Sequence, residues 1–242
     1  MKKSFYSFIG LCLIIFSLSS CLTTKHPEEN EDVSLSRNYK MISINENLDY
    51  LITDITYPEF ESYPQFNKMI KNTVENNWLG FKSYTKTEWT ELNSLNMKNG
   101  AGKLWPFEYK VIFEVSYSSN YISVLLNTYN FNGGAHGNTT LITYNYNTET
   151  NKVDNIITAT GMSYNEISEI CRSKLYKDLI TNNKTLTTPT EIAKMKEMIN
   201  EGAFPQPGNF EVYTLNKDKA YVYFEPYSVA PYSYGIQKIE IK

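Results

Sequence analysis

Histidine is almost missing from this 242-residue chain: only His26 and His136 occur, which leaves little for an imidazole-based metal site or a catalytic triad. Cysteine is nearly as scarce, with three in all, and a disulfide scaffold is excluded. The 11 glycines and 9 prolines are too few for a collagen-like chain. Charge of one sign is also lacking, since 23 Lys and Arg stand against 26 Asp and Glu. Counterion release needs a basic face, so nucleic acid is not an expected partner. What is present describes an ordinary water-soluble globular protein: 41% hydrophobic, 20% charged, mean hydropathy −0.42, and enough length for one domain or two small ones.

The first twenty residues read as a targeting segment. Met1-Lys2-Lys3 is a basic start, and Phe8 to Leu18 an apolar stretch of signal-peptide length, short for a membrane span. Leu18-Ser19-Ser20-Cys21 then resembles the lipobox of bacterial lipoproteins. The resemblance implies cleavage before Cys21, lipid on its sulfur, and a location outside the cytoplasm, anchored to a bacterial membrane. An uncleaved N-terminal anchor with a chance cysteine is the plainer alternative. Without Lys2 and Lys3 the chain carries 21 basic and 26 acidic residues, a formal charge of −5. Cys12 leaves with the signal and Cys21 takes lipid, which makes Cys171 the sole remaining thiol.

Residues 21–38 are polar and acidic around Glu28-Glu29-Asn30-Glu31-Asp32, a tether that includes His26. From Tyr39 the pattern changes. Met41 to Ile44 and Tyr50 to Tyr57 predict two strands turning at Asn45-Glu46-Asn47. Phe66, Met69, Ile70, Val74 and Trp78 recur at spacings of three and four, one face of a helix extending through Leu95 with a weak point at Gly80. Glu108 to Tyr117, Tyr121 to Phe131 and Thr139 to Tyr146 are β-rich, the first two joined at Ser118-Ser119-Asn120. Ser163-x-x-Glu166 and Thr188-Pro189-Thr190-Glu191 are capping boxes opening two more helices. Cys171 lies on the apolar stripe of the first of these, where a buried structural thiol is expected. Strands at Phe210 to Leu215, Tyr221 to Phe224 and Ile236 to Ile241 complete the chain. Runs of strands separated by runs of helices predict an α+β fold, mainly antiparallel, with amphipathic helices packed on one face, rather than alternating βαβ units. Two small subdomains are expected, 39–135 and 136–242.

Two segments carry a family resemblance. Tyr129-Asn130-Phe131-Asn132-Gly133-Gly134-Ala135-His136-Gly137 and the stretch from Tyr223 to Gly235 resemble an RsiV-like extracytoplasmic module, the outer part of the anti-sigma factor RsiV and the N-terminal part of the peptidoglycan deacetylase PdaC. Ile52 to Trp78 is similar to the module's first half, so the likeness spans about residues 39 to 242. It implies an extracytoplasmic α+β domain pair and, from the anti-sigma member, lysozyme binding. Few residues precede the signal core, so no sigma-binding role is expected. His26 and His136 cannot supply a deacetylase's metal ligands, and neither catalysis, metal nor other cofactor is expected.

Gly133, Gly134 and His136 admit two readings: a tight or bulged turn made possible by glycine, or an exposed binding edge. The loop from Pro226 to Tyr234 offers Tyr227, Tyr232 and Tyr234, stiffened by Pro226 and Pro231. Rigid aromatics are favoured contact residues, although tyrosines also alternate in ordinary half-buried strands. The two loops are expected to adjoin and form one edge. Its partner would be a lysozyme-type hydrolase or, alternatively, peptidoglycan or another envelope glycan.

Overall fold

The computed structural model describes residues 38–242. Cys21, His26, the signal segment and the tether lie outside the described residues. The fold is α+β, built on a six-stranded sheet in the order β1-β2-β3-β4-β5-β6 and a three-stranded sheet β7-β8-β9. The strands of the first are β1 (Tyr39–Asn47), β2 (Leu51–Phe60), β3 (Phe107–Ser118), β4 (Tyr121–Phe131), β5 (Asn138–Asn147) and β6 (Lys152–Val153). Those of the second are β7 (Tyr213–Asn216), β8 (Lys219–Phe224) and β9 (Gln237–Glu240).

Helix α1 (Pro64–Lys98) joins β2 to β3, and those two strands pair in parallel. This is the one departure from the expected antiparallel plan. A parallel neighbour needs a long crossover, and α1 is that crossover. The helix runs unbroken through Gly80, against the weak point expected there. A mid-helix glycine costs about 1 kcal/mol relative to alanine. Contacts on both sides offset that cost, for Trp78 donates its indole N–H to Thr53 and Phe81 packs 5.0 Å from the Tyr109 ring. Thirty-five residues make α1 about 52 Å long, more than the sheet beneath it spans.

Alternation divides the large sheet into two faces. Leu51, Ile55, Tyr109, Val111, Ile122, Val124 and Leu126 meet Phe66, Ile70 and Val74 of α1 in one core. The opposite face offers Ser116, Ser123, Leu125, Leu141, Thr143 and Asn145 to the second sheet, which docks there by its β7 edge. Every outward backbone group at that edge finds a side chain. Thr143 Oγ1 accepts from Tyr213 N–H at 3.1 Å, Asn145 Nδ2 donates to Tyr213 C=O at 2.8 Å, Ser123 Oγ accepts from Leu215 N–H at 2.9 Å, and Ser116 Oγ donates to Leu215 C=O at 2.8 Å.

The other face of the small sheet carries Tyr213, Leu215, Val222, Phe224 and Ile239 into a second core with α2 (Ile156–Thr160), α3 (Tyr164–Tyr176) and α4 (Pro189–Gly202). Both capping boxes form as expected, Ser163 with Glu166 and Thr188 with Glu191. Cys171 is fully buried, and burial pushes its thiol up to about 12. It is a packed side chain with no thiolate character at neutral pH.

Three boundaries differ from expectation. Asn45, Glu46 and Asn47 belong to β1, and the chain reverses at 48–50, where Leu48 and Leu51 exchange backbone hydrogen bonds. Phe210 sits in a 3-10 turn, Pro207–Phe210, buried against Tyr164 and Phe224, so the strand starts later. The division expected at residue 135 falls between paired neighbours β4 and β5, and the first sheet continues to Val153.

The polar junction yields a stability prediction. Ser123→Ala leaves the buried Leu215 N–H and the Asn145 side-chain Oδ1 without their Ser123 partner, which should cost about 1–3 kcal/mol in urea unfolding. An unchanged midpoint would mean that Leu125, Leu141 and Tyr223 hold the sheets together by apolar contact alone.

Candidate functional site: an aromatic edge at one end of the large sheet

The turn between β4 and β5 is shaped by glycine. Gly133 and Gly134 take φ of +84° and +132°, which other residues rarely adopt. Gly137 is required for a different reason: a Cβ there would lie 2.3 Å from the Tyr129 ring, which covers its backbone. His136 is thereby held outward and exposed while Gly137 is buried.

The C-terminal loop arrives from the other side of the fold. Leaving β8, the chain turns tightly, with Ser228 N–H donating to Glu225 C=O and Tyr227 N–H to Ala230 C=O, each at 3.0 Å. Val229 and Ala230 anchor the loop in the second core. The Glu225 carboxylate accepts the N–H of Leu141, fastening the loop to β5. Gly202, at the end of α4, admits the loop backbone, because a Cβ there would stand 1.9 Å from the Ser228 carbonyl. Held this way, Tyr227 adopts φ +72°, an outlier for an aromatic residue, and its ring is 57% exposed.

The two loops meet through side chains. Tyr232 stacks on His136 with ring centroids 3.8 Å apart and 20° between planes. Its hydroxyl donates to Gly137 C=O at 3.0 Å. That carbonyl also accepts from His136 Nδ1 at 2.9 Å, and since a carbonyl can only accept, Nδ1 carries the proton. In the neutral ring Nε2 is then an acceptor, and the Tyr227 hydroxyl donates to it at 3.4 Å. The result is a compact polar-rimmed aromatic cluster of two tyrosines and one imidazole.

The expected adjacency of the two loops is therefore present, with unequal membership. His136, Tyr227 and Tyr232 come together around Gly137. Gly133 lies on the other side of the turn, over the Phe107 ring, and Gly134 is exposed at its tip. Pro226 and Pro231 bracket the loop, the latter preceding a 3-10 turn, Tyr232–Tyr234. Tyr234 points elsewhere: it packs on the second core, and its hydroxyl accepts from Asn183 at 2.8 Å. Sequence reasoning missed Tyr129, Gly202 and Glu225 as positioning residues: Gly202 and Glu225 act on segments far along the chain, and Tyr129 acts across the turn on the backbone of Gly137. Among the described residues His136 is the sole histidine, and no three or more His, Cys, Asp or Glu side chains gather where they could hold a metal ion.

Known proteins share this architecture. Residues 44–139 match the family model described as "Deacetylase PdaC", and residues 154–242 match "Protein of unknown function (DUF3298)". The peptidoglycan-N-acetylmuramic acid deacetylase PdaC of Bacillus subtilis is 27% identical over 195 residues, covering 78% of this chain and 36% of that protein. A solved structure of a DUF3298 family member from Bacteroides fragilis superposes with a TM-score of 0.57 at 17% identity, covering 84% of this chain and 89% of that one, and shows the same fold. The described residues are thus similar to the PdaC module in their first half and to DUF3298 in their second. The chain spans about a third of the length of the Bacillus protein it matches. The aromatic edge draws on both matched segments, His136 from the first and Tyr227 and Tyr232 from the second.

Gly137→Ala tests how the edge is held. The added methyl must displace the Tyr129 ring or the turn, so the variant should lose about 1–3 kcal/mol of stability and the His136–Tyr232 stack together. Urea unfolding reads the first and histidine ring NMR shifts the second. A variant matching the parent in both would show that the turn has room the geometry denies.

Proposed function

We propose that this chain is a cell-envelope binding module, lipid-anchored through Cys21 to a bacterial membrane, whose His136–Tyr227–Tyr232 edge captures a lysozyme-type cell-wall hydrolase without catalysis of its own. The observation that carries this reading is the convergence of two loops, 91 residues apart at His136 and Tyr227, into one exposed aromatic surface. Tyrosine brings large contact area at low ordering cost, and the stack on His136 pre-organises it.

Placement supports the same reading. Asn38 enters beside Glu61, whose N–H donates to its carbonyl, at the end of the sheet where β1 begins. Tracing the register across β1, β2, β3 and β4 puts the 132–137 turn at the opposite end, about 26 Å away along the strands. A module tethered at Asn38 would present its aromatic edge away from the tether. A formal charge of −5 without the signal segment favours encounter with a basic enzyme.

Peptidoglycan glycan is the second ligand this surface suits, and the similarity to a peptidoglycan-N-acetylmuramic acid deacetylase favours it. Exposed tyrosine faces stack on sugar as well as on protein. Titration with purified lysozyme against pull-down on insoluble peptidoglycan separates the two. With lysozyme as ligand, Tyr227→Ala should weaken binding by about 1–3 kcal/mol with the fold intact by circular dichroism. Tyr144→Ala should leave affinity unchanged, because its hydroxyl meets Thr73 of α1 on the far face. Unchanged affinity for Tyr227→Ala, with measurable parent binding, would place the interface elsewhere. Retention on peptidoglycan without lysozyme binding would select the glycan, and binding to neither would overturn both.

Anchoring is tested separately. Metabolic palmitate should label the parent chain and not Cys21→Ala, and equal labelling of the two would sink the lipid assignment.

A further inference from the structure

Two edges of the β architecture, β1 and β7, are treated in opposite ways. The outer edge of β7 is covered by four side chains, whereas among the described residues β1 pairs with β2 alone and borders the six-stranded sheet. β1 lacks the backbone devices that spoil an edge, and the two charges it carries, Lys40 and Glu46, are of opposite sign. Its nine residues include no proline and no glycine, and its register is unbroken from Tyr39↔Phe60 to Asn47↔Ile52. A regular edge of this length is a template for another strand.

The order of side chains along β1 says which strand. By alternation Lys40, Ile42, Ile44 and Glu46 share one side of the strand, with Ile42, Ile44 and Glu46 turned to α1 and its core, and Met41, Ser43, Asn45 and Asn47 share the other, while Tyr39 at the strand's start packs its ring on Phe60 and Phe113. A second β1 laid antiparallel, with the two-fold axis at Ser43, sets Lys40 opposite Glu46 of the second copy, Ile42 opposite its Ile44, and Ser43 opposite its Ser43. The charge pair is of opposite sign and the isoleucine pair is apolar, each occurring twice by symmetry. Shifting the register by two residues in either direction sets Ile42 against Glu46 or Lys40 against Ile44 and loses every charge pair. Opposite charges and β-branched pairs directly across a ladder are stabilising, and like charges are destabilising. An isologous interface must be self-complementary, and this strand is so in one register.

We propose that β1 is a self-association edge through which two copies pair antiparallel about Ser43, joining their large sheets into one continuous sheet. The occupant is a second copy rather than an extended peptide because the charge pattern matches itself in reverse. Lys40 and Glu46 remain available for the contact in spite of partners on β2 and α1. Lys40 lies 2.7 Å from Glu59 but its side chain is 67% exposed, and Glu46 keeps partial exposure beside Lys82.

Cross-linking tests the register in the full chain. Ser43→Cys puts two thiols directly opposite each other across the ladder, within reach of a disulfide. Asn47→Cys, on the same strand and face, sets its two thiols about 26 Å apart. Under mild oxidation of membranes containing each variant, Ser43→Cys should give a covalent dimer well above the parent background. Asn47→Cys should not, the native cysteines being common to all three. A second experiment swaps charge. Lys40→Glu and Glu46→Lys alone should each weaken association about tenfold or more in sedimentation, since each makes two like-charge pairs. Mixed together they should associate again, because a chain with two acidic side chains at these positions then faces a chain with two basic ones, and both cross-strand pairs are of opposite sign. Covalent dimer no greater than background for Ser43→Cys, a monomeric parent, or single variants whose mixture fails to associate would each overturn the proposal.

Discussion

The backbone of β7 has nowhere to go without the large sheet. Tyr213 and Leu215 each turn a backbone N–H and C=O outward, and an unpaired buried amide costs about as much as several ordinary hydrogen bonds contribute. Ser116, Ser123, Thr143 and Asn145 supply those partners from β3, β4 and β5, with Ser123 and Asn145 also bonded to each other. This explains polar residues in strands that otherwise alternate toward apolar packing. It also fixes the small sheet at one position on the larger one, since side chains at alternate residues must match backbone groups at alternate residues. Among the described residues no buried side-chain nitrogen or oxygen lacks a partner, so the junction is fully satisfied rather than a strained compromise.

The aromatic edge depends on that register. Tyr223 N–H donates to Val212 C=O within the small sheet, and β8 then delivers Glu225 to the N–H of Leu141 on β5. Once Glu225 is fixed, the tight turn through Ser228 and the close approach at Gly202 leave Tyr227 in a left-handed conformation facing His136. Such a conformation costs of order 1–3 kcal/mol and persists only where surrounding contacts over-determine it. Here buried Val229 and Ala230 on one side and the stack of Tyr232 on His136 on the other provide that constraint.

Most elements are legible in the sequence because their causes are local. Richness in β-branched and aromatic residues marks β3, β4 and β5, and each capping box states where a helix begins. The parallel pairing of β2 with β3 is not legible, since hydrophobic alternation says nothing about which strands become neighbours. The delayed start of β7 has the same origin: Phe210 is apolar and sits before a strand, but Pro207 opens a 3-10 turn that drops it into the core beside Phe224. At the site, Tyr227 and Tyr232 could be picked as loop aromatics, whereas Tyr234, grouped with them as a third aromatic of the same loop, lies outside the edge. The segment is a 3-10 turn of about three residues per turn, which carries Tyr232 to His136 and Tyr234 to Asn183.

The contrast between the two sheet edges follows from composition as much as from topology. Covering β7 requires hydroxyl and amide side chains on a neighbouring face, and β3 to β5 spend four inward positions on them. No comparable face lies beyond β1 among the described residues, where the sheet begins at Tyr39. An exposed edge is tolerable in water because solvent satisfies its amides, but it is a hazard if it can pair indiscriminately. A strand reading Lys-x-Ile-x-Ile-x-Glu limits pairing by charge: a parallel copy in register would set Lys40 against Lys40 and Glu46 against Glu46, and the antiparallel copy alone brings opposite signs together. The same four residues therefore disfavour a parallel pair and leave the antiparallel two-fold pair as the arrangement that satisfies them.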